Sequence, residues 1–228
     1  LRTSAVKWMG VDSSSMGFRI VGLLGSPLAG GNTAKLLDQA LLGARDAGCE
    51  VERIDVGDLV FRPCREIFYC REHGTCAMKD DMIPLYRTFA ELDSLIVATP
   101  VMTMGIPGAL KSFMDRFQVF FMAKYMRNSP LVPEEKRAHR RGLYIGIAGM
   151  NVPYVFDGAK LTMKAFFSII DVEYWDELLT RDMDTIRDIT TRPDIMDEAY
   201  RKGFRLGELL FEKIPESEGP PLPEARVS

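Results

Sequence analysis

The sequence predicts an α/β fold, a doubly wound, five-stranded parallel sheet in the strand order 2-1-3-4-5. Three observations predict it. Short β-branched runs alternate with longer segments of helical period, the pattern of crossover units built around a parallel sheet. Several of these runs are apolar throughout, as strands covered on both faces must be. Finally, 228 residues, 46% apolar and 27% charged, are enough for one large core.

Residues 1–17 carry Ser13, Ser14 and Ser15 among scattered charges without a period, and read as a flexible leader. Phe18 to Gly25 (FRIVGLLG) is the first strand, and Thr33 to Ala47 the first helix, with Leu36, Leu37, Ala40, Leu41 and Ala44 on one face and Gly48 as its stop. Glu50 to Val56 alternates like a strand near an edge. A helix over Asp80 to Leu92 leads to the buried strand Ser94 to Thr99. Pro107 suits the first turn of a helix running to about Phe121. Leu143 to Ala148 is the fourth strand, Val155 to Ile170 an amphipathic helix and Val172 to Leu179 the fifth strand, despite Glu173, Asp176 and Glu177. Asp194 to Lys213 is the last helix. The domain therefore spans residues 18–213, and a Pro-rich tail, 214–228, follows it.

The charge balance is 29 Lys+Arg against 32 Asp+Glu, a net charge of -3. It gives no field that would collect nucleic acid or an anionic membrane. No stretch has the roughly 18 apolar residues that a membrane span needs, and residues 1–18 lack a secretory core, so a cytoplasmic protein is expected.

In the order 2-1-3-4-5, ligands lie beyond the carboxyl ends of the strands where the order reverses, between strands one and three. Two loops reach that point. Gly25 to Thr33 (GSPLAGGNT) joins a buried strand to a helix start, where backbone N–H groups and the helix dipole favour a phosphate and Ser26, Asn32 and Thr33 add side-chain donors. No Lys follows the last glycine, which argues against a nucleoside triphosphate. The same loop can equally be a plain turn in which Asn32 or Thr33 caps the helix. Thr99 to Arg116 (TPVMTMGIPGALKSFMDR) combines an apolar, Gly-containing loop with a Pro-started helix and can present its backbone to the edge of a flat ring. Lys111, Asp115 and Arg116 read as surface ion pairs at helical spacing.

Together, the GSPxxxGNT loop, a cysteine-bearing segment and TPVxxxxxPGxLKxFxDR resemble the NADPH-dependent FMN reductase family, most closely its iron-sulfur flavoprotein branch. The resemblance runs from about Arg19 to Gly149 and implies a flavodoxin-like fold and non-covalent FMN. By that resemblance Ser26, Pro27, Gly31, Asn32 and Thr33 would hold the FMN phosphate. Pro100, Val101, Met102, Thr103 and Gly105 would line the isoalloxazine ring, with Met102 where relatives usually have an aromatic. Gly149 and Asn151 are third-loop candidates.

The segment PCREIFYCREHGTC, Pro63 to Cys76, gathers three of the chain's four cysteines. Thiolates at such spacings can converge on a metal or a cluster. In the iron-sulfur branch four cysteines bind a [4Fe-4S] cluster; aligned on Cys64, Cys70 and Cys76, this chain has Ile67 in the second slot. Three readings follow. The chain has lost the cluster and kept FMN, the preferred reading because one absent ligand usually abolishes a site. Alternatively His73, Asp80 or a neighbouring subunit completes a cluster. Otherwise His73 makes a Cys3His zinc site, or the thiols are structural. Cys49 reads as a small buried hydrophobe. His139, within Lys136, Arg137, Arg140 and Arg141, reads as part of a solvated surface.

The expected function is an FMN-dependent oxidoreductase passing electrons from NAD(P)H to flavin, a quinone or a similar acceptor. The alternative is an electron carrier reduced by ferredoxin. The resemblance also implies a homodimer or homotetramer, to which Phe113, Phe117, Phe120 and Phe121 could lend apolar area if they are not simply core.

Overall fold

The computed structural model describes residues 17–212. The expected tail lies outside these residues, as does the expected leader apart from Gly17. Five parallel strands, β1 (Arg19–Leu24), β2 (Glu50–Asp55), β3 (Ser94–Pro100), β4 (Arg141–Ile147) and β5 (Glu173–Thr180), form one sheet in the order 2-1-3-4-5. This is the predicted fold.

Side chains of the central strands alternate between two cores, as a period of two requires. Val21, Leu23, Leu95, Val97 and Tyr144 face one; Ile20, Leu24, Ile96, Ala98, Leu143 and Ile145 face the other. The second core is covered by α1 (Asn32–Asp46) and a late helix, Pro193–Phe211. These two helices approach so closely that a Cβ on Gly203 would lie 1.9 Å from the Ala40 carbonyl oxygen, and one on Gly43 2.1 Å from that of Tyr200. The first core is covered by α2 (Met82–Glu91), α3 (Gly108–Asp115), α4 (Gln118–Phe121) and the helix Asp157–Ile169.

Five sequence expectations need correction or completion. The helix expected from Pro107 to Phe121 breaks at Arg116 and Phe117 and then runs through α4 into a π turn, Met122–Met126. The break accompanies Arg116 turning inward: its side chain is 1% exposed and forks onto Asp80 at 2.6 and 2.9 Å. Only Lys111 and Asp115 make the expected surface pair. Arg140 likewise leaves the surface expected of its basic run, donating to the carbonyls of Ile170 and Phe89 at 2.7 and 2.6 Å. Burial lowers its pKa to about 10.

Phe113, Phe117 and Phe120 pack with Phe89 and Phe166 in the core rather than offering contact area for a second subunit. The acidic residues of β5 are tolerated because Glu177 pairs with Lys160 and Asp176 with Lys202, at 2.6 and 2.5 Å. Trp175 is the extra residue at a register shift against Gly142 and Leu143.

With the short helices Glu134–Arg137 and Met183–Ile186 included, Asp157–Ile169 becomes α6, Met183–Ile186 α7 and Pro193–Phe211 α8. Among the described residues no helix is long and apolar enough to cross a membrane.

Candidate functional site

The carboxyl ends of β1, β3 and β4, which are neighbours in the sheet, carry three loops. Gly25 ends β1 by donating its N–H to the Ala98 oxygen at 2.8 Å. A Cβ there would meet Leu110 at 2.4 Å, so the first loop rests directly on α3. Within this loop the buried Ser26 hydroxyl accepts the Leu28 N–H at 3.1 Å, and Gly31 donates to the Leu28 oxygen at 3.1 Å.

Gly31 stands at the N-cap of α1, with no side-chain hydrogen bond to the cap and no acidic residue in the first turn. Neither Asn32 nor Thr33 caps the helix. The first N–H groups of α1 and its positive dipole end are left for an anion. Thr33 is buried beneath them, Pro27 is exposed, and a Cβ at Gly30 would meet nothing. The donor set of this cradle, uncharged and largely backbone, fits a phosphate monoester.

Asn32 is engaged elsewhere. Its amide donates to the Arg187 oxygen at 2.6 Å and accepts the Ile189 N–H at 3.1 Å, while Lys35 pairs with Asp188 at 2.8 Å. Asn32 therefore brings its backbone N–H to the cradle, and its side chain ties the loop after β5 against it. The sequence reading missed this brace, since no local pattern links residues 155 positions apart.

The second loop continues β3 outward. Pro100 is the last residue of β3, Val101 donates to the Ile147 oxygen at 2.7 Å, and Met102 and Gly105 then exchange both backbone hydrogen bonds, at 2.9 and 3.0 Å. The two residues between them, Thr103 and Met104, have φ of 50° and 61°. This is a tight turn in the left-handed region, built without glycine at either central position. A β-branched residue at positive φ is strained. The turn uses the N–H groups of Met102 and Gly105 in its own pairing and leaves those of Thr103 and Met104 at its tip. Met102 is 44% exposed.

The third loop is held from two sides. Val101 and Met104 pack on Ala148, Val155 and Phe156, and a Cβ on Gly158 would lie 2.5 Å from the Met104 oxygen. On the other side the N–H groups of Met183 and Asp184 donate to Ala148 and Gly149 at 3.1 and 3.2 Å. The Asp184 carboxylate fills the space beside Gly149, leaving a Cβ only 2.4 Å. Asn151 is exposed. The structure thus packs the second loop on the third, rests the first loop on α3 and leaves Asn151 exposed.

The cysteine segment forms a separate closed loop between β2 and α2. At its neck Arg116 bridges the Arg62 oxygen (2.8 Å) and Asp80, and the Val60 N–H donates to Asp81 at 2.7 Å. Halfway round, Arg127 donates to the carbonyls of Cys70 and His73. Inside, half-buried Cys64, Cys70 and Cys76 line one cavity of about 360 Å³ with Ile67, Phe68, Tyr69, Asp115 and Gln118. Burial pushes the Cys70 thiol up.

The described residues form no zinc site in this loop. His73 stacks on Tyr69 at 3.7 Å with Nδ1 3.0 Å from the Tyr69 oxygen, and Asp80 is committed to Arg116. Among the described residues no three His, Cys, Asp or Glu converge on a single metal ion. Cys49, remote from this loop, is buried, and its thiol is pushed up to about 11 by that burial, as expected of a small hydrophobe.

A sheet that reverses its strand order between two such loops defines a flavodoxin-like protein. Within that class the chain belongs to the NADPH-dependent FMN reductase family, whose sequence profile matches residues 18–148. It is 37% identical over 98 residues to an iron-sulfur flavoprotein of Archaeoglobus fulgidus, covering 43% of this chain and 44% of that one. It is 33% identical over 110 residues to an iron-sulfur flavoprotein of Methanocaldococcus jannaschii, covering 48% and 57%. The chain spans about half the length of these relatives. Among solved structures, an FMN-dependent NADH-azoreductase from Bacillus anthracis superposes with a TM-score of 0.60 at 15% identity, covering 83% of this chain and 99% of that one. An NAD(P)H:quinone oxidoreductase from Methanothermobacter marburgensis does so with 0.60 at 16%, with the same coverage. These likenesses show the fold.

Proposed function

We propose that the chain is an FMN-dependent oxidoreductase that takes electrons from NAD(P)H and passes them to flavin, a quinone or a similar acceptor. The observation that carries the reading is the uncapped start of α1, whose preceding loop rests on α3, at the edge of the sheet where the strand order reverses and the 102–105 turn follows β3. Family membership names the group that such a cradle takes.

In this reading Ser26, Pro27, Gly31, Asn32 and Thr33 hold the FMN phosphate, chiefly through backbone N–H groups and the Ser26 and Thr33 hydroxyls. Pro100, Val101, Met102, Thr103 and Gly105 line the ring, with the Thr103 and Met104 N–H groups available to its polar edge. Gly149 and Asn151 complete the rim. Bound there, FMN supplies a hydride acceptor for a nicotinamide and an outlet for one or two electrons. The protein's residues bind and orient; no side-chain acid or base is required of them. A thioether at Met102 offers a softer, more mobile surface than an aromatic ring would.

The iron-sulfur flavoproteins among the relatives favour a second reading, an electron carrier reduced by ferredoxin. Stopped-flow mixing of the FMN-loaded protein with NADPH, NADH or reduced ferredoxin separates the two. Fast bleaching of the flavin band by a pyridine nucleotide is expected. Bleaching by ferredoxin alone would replace the first reading with the second. Sedimentation of the same sample tests the homodimer or homotetramer that accompanies this proposal.

A further inference from the structure

Arg53 lies outside the three loops of the site, yet its side chain ends on the first of them. Arg53 and Asp55 are two residues apart on β2 and so share a face, the one that meets α1. The Nε and Nη2 of Arg53 fork onto the Asp55 carboxylate, both at 2.7 Å. Its Nη1 reaches the two oxygens of Asp38 in α1 at 2.7 and 2.9 Å, and Nη2 also donates to the Ala29 carbonyl at 2.7 Å. These bonds match the five N–H groups that a guanidinium carries, so no donor is left for a ligand. Two carboxylates also flank the single cation, which removes any net attraction for an anion. Whatever Arg53 does for the cradle, it does through Ala29.

Ala29 and Asn32 are the two points at which the tip of the loop is tied down, the first to β2 and the second, through its amide, to the loop after β5. Between them stand Gly30 and Gly31, which have no side chains to hold their peptides in place. The Gly31 N–H is taken by the Leu28 oxygen, whereas that of Gly30 has no acceptor among the described residues. The carbonyl and the N–H of one trans peptide point in opposite directions. A grip on the Ala29 oxygen therefore fixes where the Gly30 N–H points, away from β2.

We propose that Arg53 is a positioning residue of the phosphate cradle: by holding the Ala29 carbonyl it turns the Gly30 N–H toward the FMN phosphate. This rests on the flavin reading and adds to it a donor, Gly30, and the side chain that aims it.

The test compares the dissociation constants of FMN and riboflavin, measured by flavin fluorescence on the full chain and its variants. Riboflavin carries the ring without the phosphate, so it reports on the fold and the ring loops alone. Arg53→Met is made by itself and together with Asp38→Asn and Asp55→Asn, which remove the carboxylates that the first change leaves unpaired; circular dichroism checks the fold. FMN is expected to bind roughly tenfold more weakly and riboflavin less than about twofold more weakly. Arg53→Lys, whose ammonium can still donate to one carbonyl, is expected to recover part of the FMN affinity. The loss should be the same at low and high salt, because it comes from the direction of an N–H and not from the charge of Arg53. Equal weakening of both compounds overturns the proposal, since Arg53 would then only support the fold, and failure of both Met variants to fold has the same meaning. Unchanged FMN affinity, or a loss that vanishes at high salt, overturns it too. An unaltered chain that binds neither compound overturns the flavin reading itself, and this inference with it.

Discussion

Thr103 is the residue at which local rules and the site conflict most openly. Its φ of 50° is one that a β-branched side chain avoids, and Met104 follows at 61°. Such strain, of order 1–3 kcal/mol, is kept where the surroundings enforce it, and here the two Met102–Gly105 hydrogen bonds do so. Thr103→Asn, which enters this region more readily, is expected to raise stability by about 0.5–1 kcal/mol. A urea midpoint that rises at constant slope would show this, and a fall would mean that the hydroxyl or methyl makes a contact worth more than the strain. The loop between β1 and α1 was legible because its backbone demands are local. The tasks of Asn32, Arg116 and Arg140 were not, since each bonds a partner far away in sequence: Arg187, Asp80 and Phe89. No periodicity carries that information.

Whole elements were easier to read than single polar side chains. All five strands and their order follow from apolar runs and alternation, because burial on one or two faces dictates both. The helix after Pro107 was read too long, because apolar spacing continues through Phe117 and Phe120 while the backbone breaks to bury Arg116. Helix packing yields one expectation. The contact between α1 and α8 leaves no room at Gly203, where a Cβ would lie 1.9 Å from the backbone of Ala40. Gly203→Ala is therefore expected to force the helices apart and to cost about 1–3 kcal/mol, even though alanine is the better helix former. Chemical denaturation checks it, and an unchanged midpoint would mean that the helices can shift freely.

The cysteine loop yields another. Burial alone would raise the pKa of Asp80, but the hydrogen bonds and charge of Arg116 outweigh it and hold the carboxyl below its ordinary 3.8. A lowered carboxylate pKa adds stability that is complete above the ordinary value and disappears as pH falls through the lowered one. Asp80→Asn should thus lose stability at pH 7 and lose less than the unaltered chain on going down to pH 2. Parallel acid-unfolding curves for the two proteins would refute the assignment.

At the scale of the molecule, α3 joins two places that differ in chemistry. It starts beside the second loop and ends at Asp115, which lines the cysteine cavity; its eight residues span about 12 Å. Leu110, in its first turn, supports Gly25 of the first loop, and Arg116, just past its end, closes the neck of the cysteine loop. One rigid element thus sets the position of both. A ligand that binds only the folded chain stabilises it by RT ln(1 + [L]/Kd), about 2.7 kcal/mol at a hundredfold excess over Kd. For a domain of this size that corresponds to a rise in Tm of roughly 5–10 °C. FMN is expected to produce such a rise. Riboflavin has the same ring but no phosphate, so it leaves the start of α1 without an anion and at equal concentration should raise Tm much less. Thermal unfolding with each compound measures the difference directly. Equal shifts would mean that the ring alone drives binding and that the uncapped helix start has another purpose.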